Sequence, residues 1–219
     1  MINQLQLDTA KNYLIAEFFV LFVATPLSLL LPYDFRIKVA TILIAFCYLL
    51  YILFRQTSVS FAIKKDINWK WFFKMVFVKF LVVAVLTGVY VYLVDGTKLF
   101  CVPRTDLKLF GLILLVYTFL SVWPQEVIYR TFFFERYGKF FSNRKLLIFV
   151  NAIIFSLAHV FLQNMLVTVL TFIGGLLFAY TYEKSKSTTL VSIEHAIYGN
   201  WLFTVGLGEM LAFPGMGAC

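Results

Sequence analysis

An all-α, polytopic membrane fold is the class this sequence predicts, and three observations predict it. The 219 residues are 62% hydrophobic and 14% charged, against about half apolar and about a quarter charged in a soluble domain. Apolar runs near the roughly twenty residues needed to cross a hydrocarbon layer of about 30 Å recur along the chain. None of these runs shows strand alternation, and in lipid only helices or closed barrels satisfy their own backbone, so the runs read as helices. The 26 Phe and 12 Tyr suit lipid-facing surfaces and interfacial rings.

About seven spans are expected, within a range of six to eight. They lie near Asn12 to Leu31, Ile37 to Phe54, Trp71 to Val94, Leu107 to Val122, Leu146 to Leu162, Met165 to Tyr182 and Thr189 to Leu207. The first is preceded by the polar residues Asn3, Gln4, Gln6 and Asp8 and lacks a small-residue cleavage site, so it reads as a span and not as a cleaved signal. An amphipathic stretch, Pro124 to Phe141, follows the fourth. Loops are short except Arg55 to Lys70, and no Ser/Gly/Pro-rich linker or repeat divides the chain. A single integral membrane domain over residues 1–219 is the simplest organisation.

The formal charge of +8 raises the question of a nucleic-acid partner. Lys and Arg sit mostly in loops between apolar runs, so membrane topology explains the charge and no nucleic-acid partner is expected. Alternating the loops places 11 Lys/Arg on one side (Lys11, Arg55, Lys64, Lys65, Lys70, Arg136, Lys139, Arg144, Lys145, Lys184 and Lys186) and five on the other (Arg36, Lys38, Lys98, Arg104 and Lys108). The positive-inside rule then favours a cytoplasmic N-terminus and, for seven spans, an external C-terminus. A bacterial cytoplasmic membrane is the expected location. Trp69, Trp71 and Trp123 fall near span ends, at headgroup level, and Trp201 fits either that level or the core. Cys47, Cys101 and Cys219 form no C-x-x-C pair and are odd in number, which suggests neither a zinc ribbon nor a complete disulfide framework.

Ionisable groups inside spans are expensive, so each is a functional candidate until a structural role explains it. Lys74 and Lys79 lie early in the third span and can snorkel to an interface. Glu17 can cap, face the interface or pair with a lysine. More specific is Gln125-Glu126-Val127-Ile128-Tyr129-Arg130, where Pro124 suits a first helical turn and Glu126 and Arg130 share one face of an α-helix. That spacing describes an i to i+4 ion pair, or a general base held by its neighbours. Phe155 and His159 likewise share a face. His195 lies in the last run, near Glu194 and Asn200, so both histidines of the chain fall in apolar helices.

One carboxylate, two imidazoles and an amide can activate water: carboxylate and imidazole take its proton, while a second imidazole and an amide donate to a tetrahedral oxyanion. The same Glu126, His159 and His195 could instead hold Zn²⁺ with an open water position. There is no H-E-x-x-H, no G-x-S-x-G and no pair of intramembrane aspartates, which removes the commoner hydrolase plans.

At these residues the sequence resembles the CAAX protease and bacteriocin-processing family of intramembrane endopeptidases, whose pattern is E-E-x-x-x-R, F-x-x-x-H and H-x-x-x-N. Gln125 to Arg130 aligns with the first block, Phe155 to His159 with the second and His195 to Asn200 with the third. The resemblance covers about 107–207 and includes Gly174-Gly175, where small residues let helices approach. Two positions depart from the pattern. The first acid is Gln125, and Asn200 stands five residues after His195 with Gly199 at the fourth.

The resemblance implies an endopeptidase acting on a membrane-associated peptide, prenylated or bacteriocin-like, with the lipid bilayer as its medium. Glu126 and His159 would activate water, His195 and Asn200 would hold the oxyanion, and Arg130, Gln125 and Phe155 would support them. No cofactor is required on that mechanism, Zn²⁺ being the alternative. Competing readings are a non-catalytic immunity protein of the same family, a haem held between His159 and His195, and a proton-coupled transporter using the same groups as a relay.

Overall fold

The computed structural model describes residues 4–56 and 67–211, with side chains described from Lys11 onward. Every regular element among them is helical: α1 (Gln4–Phe19), α2 (Thr25–Ser28), α3 (Phe35–Gln56), α4 (Trp69–Asp95), α5 (Cys101–Thr105), α6 (Leu107–Val116), α7 (Trp123–Glu126), α8 (Phe133–Tyr137), α9 (Arg144–Leu157), α10 (Met165–Ser185) and α11 (Thr188–Val205), with short π and 3₁₀ turns between them. Five helices among the described residues are long and apolar enough to cross a membrane: Phe35–Arg55, Trp69–Lys98, Leu107–Phe140, Arg144–Leu162 and Met165–Ser185. All seven expected runs are helical. The first is interrupted by a π turn at Val20–Ala24, and the last is the 18-residue α11.

Helix ends follow local chemistry. Asn68, Asp106, Asn143 and Ser187 cap α4, α6, α9 and α11 by accepting from Trp71, Leu109, Lys145 and Leu190 backbone N–H groups, donors the helix itself leaves without partners. Helix α11 ends at Gly206, whose φ of 109° lies in the left-handed region, and a side chain there would also collide with the Lys98 carbonyl.

Pro124 does not open a new segment, as the sequence reading expected. The helix runs on from Leu107 to Phe140, and π turns at Tyr117–Val122 and Val127–Phe132 take up the disturbance. Proline has no N–H to offer the preceding turn, and Trp123 N–H reaches back five residues to Thr118 O. The same device occurs at Thr25-Pro26, where Thr25 N–H reaches Val20 O. The backbone from Val127 to Phe132, after Glu126, is thus π-helical and not α-helical.

The chain divides into two compact units: Met1–Val59 with Ile128–Ala179, and Ser60–Val127 with Tyr180–Cys219. In the first, Phe22 is buried and its ring meets those of Phe18, Tyr129, Phe132, Phe133 and Tyr137. Such aromatic pairs are each worth about 0.5–1.5 kcal/mol beyond burial. Gly175 lets α10 lie against α9, since a Cβ there would sit 2.8 Å from Ala152 Cα. Gly174 faces Phe178 of its own helix and plays no such part.

In the second unit α11 packs on α4 through Tyr198 and Trp201 against Phe80, with Trp201 Nε1 donating to Thr87 Oγ1 at 2.9 Å. Trp201 thus takes the core option, whereas Trp69, Trp71 and Trp123 are exposed. A second cluster joins Val102, Ile113, Tyr117, Val122, Ala196 and Phe203, bringing the Tyr117 turn onto α11. Cys101 is disulfide-bonded and Cys47 is free and exposed.

Candidate active site

Within the second unit, the π turn and short helix around Pro124 bring Glu126 against α11. Glu126 is fully buried, and its Oε1 lies 2.7 Å from His195 Nδ1. On the other side of the ring, His195 Nε2 lies 3.1 Å from the Tyr117 hydroxyl. An ionised carboxylate only accepts, so Nδ1 carries the proton beside it; a neutral imidazole then presents Nε2 as acceptor and Tyr117 donates. Three groups therefore form one ordered chain, Tyr117 to His195 to Glu126. Both ring nitrogens of His195 are engaged, one by an acid and one by a phenol.

Gln125 and Asn200 lie in the same unit but on other partners. Gln125 Nε2 donates to Ser121 Oγ at 2.9 Å, one helical turn back. Asn200 Nδ2 donates to Thr118 Oγ1 at 3.1 Å. Gln125 Oε1 and Asn200 Oδ1 are buried and have no hydrogen-bond partner among the described residues. A buried amide oxygen left in this state is costly, so these are two points at which a donor would be welcomed.

Arg130, Phe155 and His159 form a second set inside the first unit. Arg130 is fully buried, donates from Nη1 to Asn151 Oδ1 at 2.8 Å, and lies over the rings of Phe155 at 4.6 Å and Phe178 at 5.8 Å. A desolvated guanidinium over an aromatic face is held by about 2 kcal/mol. Asn151 Nδ2 in turn donates to the Tyr129 carbonyl. Phe155 also meets His159, ring centroids 4.9 Å apart, and His159 Nδ1 lies 2.8 Å from Phe155 O. Phe155 thus touches both the arginine of the first sequence block and the histidine of the second.

His159 is not inside an apolar helix, as expected from sequence, but just beyond the end of α9. Its N–H bonds Ser156 O in a tighter 3₁₀-type turn, the usual way a helix end closes. Three other expectations also change. Glu194 does not join the imidazole beside it in sequence: it is fully buried and takes Lys79 Nζ at 2.9 Å, with the Tyr198 hydroxyl also at 2.9 Å. Lys79 therefore pairs inside the protein and does not snorkel. Glu17 pairs with an arginine, not a lysine: Arg136 Nε and Nη2 reach its two oxygens at 2.8 and 2.9 Å.

Residues the sequence reading passed over are Tyr117, Thr118, Ser121, Asn151 and Phe178. Asn151 was legible as a lone amide in an apolar helix. Tyr117 was one of 12 tyrosines, and only Gly199, a gap on the facing helix, hinted at it. Among the described residues, no three His, Cys, Asp or Glu side chains gather as ligands for a metal ion.

Fold and site together define a class: a helical integral membrane protein carrying a buried carboxylate–imidazole pair. The family whose model matches is the type II CAAX prenyl endopeptidase Rce1-like family, over residues 108–201. The resemblance drawn from the three motifs holds over that segment, where the chain is similar to CAAX-type membrane endopeptidases. No curated protein and no solved structure matches it.

Proposed function

We propose that this protein is an endopeptidase that hydrolyses a peptide bond of a membrane-associated peptide, prenylated or bacteriocin-like, with the Glu126–His195 pair as its base. The observation that carries this reading is the 2.7 Å contact between Glu126 Oε1 and His195 Nδ1, buried within the family-matched segment. A carboxylate so placed fixes the ring's tautomer and stabilises the imidazolium once a proton arrives. The pair accepts one proton from water, the hydroxide attacks the carbonyl carbon, and the proton passes to the amine nitrogen as the C–N bond breaks. His159, Arg130 and Phe155 enter this reading from the family motif, and Gln125 and Asn200 as nearby amides. The mechanism needs no cofactor; a Zn²⁺ route is the alternative to be measured.

Orientation follows the charge distribution, with the N-terminus on the cytoplasmic side of a bacterial membrane. The disulfide at Cys101 supports it, because such bonds persist on the oxidising side and Cys101 lies between Lys98 and Arg104 of the Lys/Arg-poor group.

The test is cleavage of a peptide library, with and without C-terminal prenylation, by purified wild type and by Glu126→Gln, His195→Ala and His159→Ala. Losses of about 10²–10⁴ are expected for a general-base pair. Unchanged cleavage in Glu126→Gln and His195→Ala would sink the assignment. Metal analysis runs alongside, and stoichiometric zinc lost with the histidines would replace the carboxylate–imidazole route.

A further inference from the structure

Gly199 and Tyr117 have a relation that neither the motifs nor the family match assigns. In the family pattern the fourth residue after the last histidine bears an asparagine side chain, and here it is Gly199. A Cβ built on Gly199 would overlap the Tyr117 ring and hydroxyl. The phenol thus occupies the space a side chain at 199 would claim, and from there its hydroxyl meets His195 Nε2 at 3.1 Å. Asn200, one residue on, is turned to Thr118.

Tyr117 is held in place from several sides. It is buried, packs on Phe203 with ring centroids 4.9 Å apart, and sits within the π turn Tyr117–Val122. A phenol fixed by packing at both ring and backbone presents its hydroxyl in one direction at little further entropic cost. A serine or lysine at the same distance would have to be frozen first.

We infer that Tyr117 is a positioning residue that holds the His195 ring in the orientation with Nδ1–H toward Glu126 and Nε2 as acceptor, and that position 199 is glycine because this phenol stands in the place of its side chain. The inference rests on reading Glu126–His195 as the reactive pair. Without the phenol, the carboxylate still sets the tautomer, but the ring is held at Nδ1 alone and the imidazole could turn. With it, the orientation of the ring is set before substrate arrives.

The test uses the full-length protein in detergent, with ¹⁵N-labelled histidine. The chain has two histidines, and a His159→Gln sample identifies the His195 resonances. In wild type, His195 should show a protonated Nδ1 and a hydrogen-bonded, unprotonated Nε2. Tyr117→Phe should shift the Nε2 signal from its wild-type hydrogen-bonded position, lower kcat about tenfold, change KM less than about twofold, and displace the acid limb of the kcat profile. Gly199→Ala should disturb His195 in the same way by pushing the ring off Nε2. Where Gly199→Ala fails to fold, Tyr117→Ala/Gly199→Ala restores the room and should fold while showing the same shifted Nε2 signal as Tyr117→Phe. Identical His195 spectra in wild type and Tyr117→Phe would overturn the inference. Spectral changes as expected in a protein that cleaves no peptide would uphold the positioning and discard the endopeptidase reading.

Discussion

Glu17 in the first unit and Glu126 in the second are both buried carboxylates, and they are surrounded differently. Glu17 in the first unit is saturated: Oε1 accepts from Arg136 Nε and the Tyr137 hydroxyl, and Oε2 from Arg136 Nη2 and the Tyr48 hydroxyl, all within 2.6–2.9 Å. A forked guanidinium and two phenols only donate to it, so the charge is fixed and nothing there can exchange a proton at neutral pH. Glu126 in the second unit meets an imidazole, which can both donate and accept a proton. Beyond that ring lies a phenol, and in the same unit two buried amide oxygens have no donor among the described residues. Burial alone does not mark a reactive acid. The partners' capacity to pass a proton does.

The largest separation of the two acids should come from paired substitutions. Glu126→Gln should abolish most peptide cleavage, as set out above, while leaving the thermal unfolding midpoint in detergent within a few degrees of wild type. Glu17→Gln should do the reverse: it leaves Arg136 without its counter-charge, a change that costs about 3–5 kcal/mol when a pair is buried, yet cleavage per folded molecule should stay within about twofold. Equal loss of cleavage in both variants would erase the distinction.

That contrast was only partly legible in the sequence. Composition and the recurrence of apolar runs were sufficient for the helical membrane class, because lipid admits so few backbone solutions. The motif blocks named Glu126 and His195, which the structure joins, and His159, which it places beside Phe155. What periodicity could not reach were contacts between residues far apart in the chain. Glu17 finds Arg136, and Lys79 finds Glu194, across more than a hundred positions, so neither pairing leaves a local spacing to read. The π turns escaped for a related reason: Pro124 signalled a boundary, and the chain answered with a changed register inside one continuous helix. Tyr117 was hidden among aromatic residues whose majority serve only packing and lipid contact.

The Lys79–Glu194 pair offers a sharper test of whether adjacency to His195 matters. Lys79→Met should destabilise by about 3–5 kcal/mol, since it strands a fully buried carboxylate. Lys79→Met/Glu194→Leu should recover most of the lost stability, because a well-packed apolar replacement of a buried pair is often neutral. Cleavage per folded molecule should match wild type in the double variant, measured by activity against the fraction surviving size-exclusion chromatography. A hundredfold loss there would move Glu194 from support into the reaction.

Asn200 supplies the smallest expected effect. Its amide donates to Thr118 Oγ1, and its other polar atom is buried with no hydrogen-bond partner among the described residues. If its work is to tie α11 to the Tyr117 turn, Asn200→Ala removes one hydrogen bond of about 0.5–1.5 kcal/mol and lowers cleavage by less than about tenfold. An amide that donates to the oxyanion of a tetrahedral intermediate behaves otherwise, because losing such a donor costs about 10²–10³ in kcat. The smaller figure is expected, since His195 and Tyr117 are already ordered without Asn200. Comparing Asn200→Ala with Asn200→Asp decides the matter: aspartate keeps an acceptor for the Thr118 hydroxyl but offers an oxyanion no donor. Near-normal kcat in Asn200→Asp would assign Asn200 to the scaffold, and a hundredfold loss in both would return it to the chemistry.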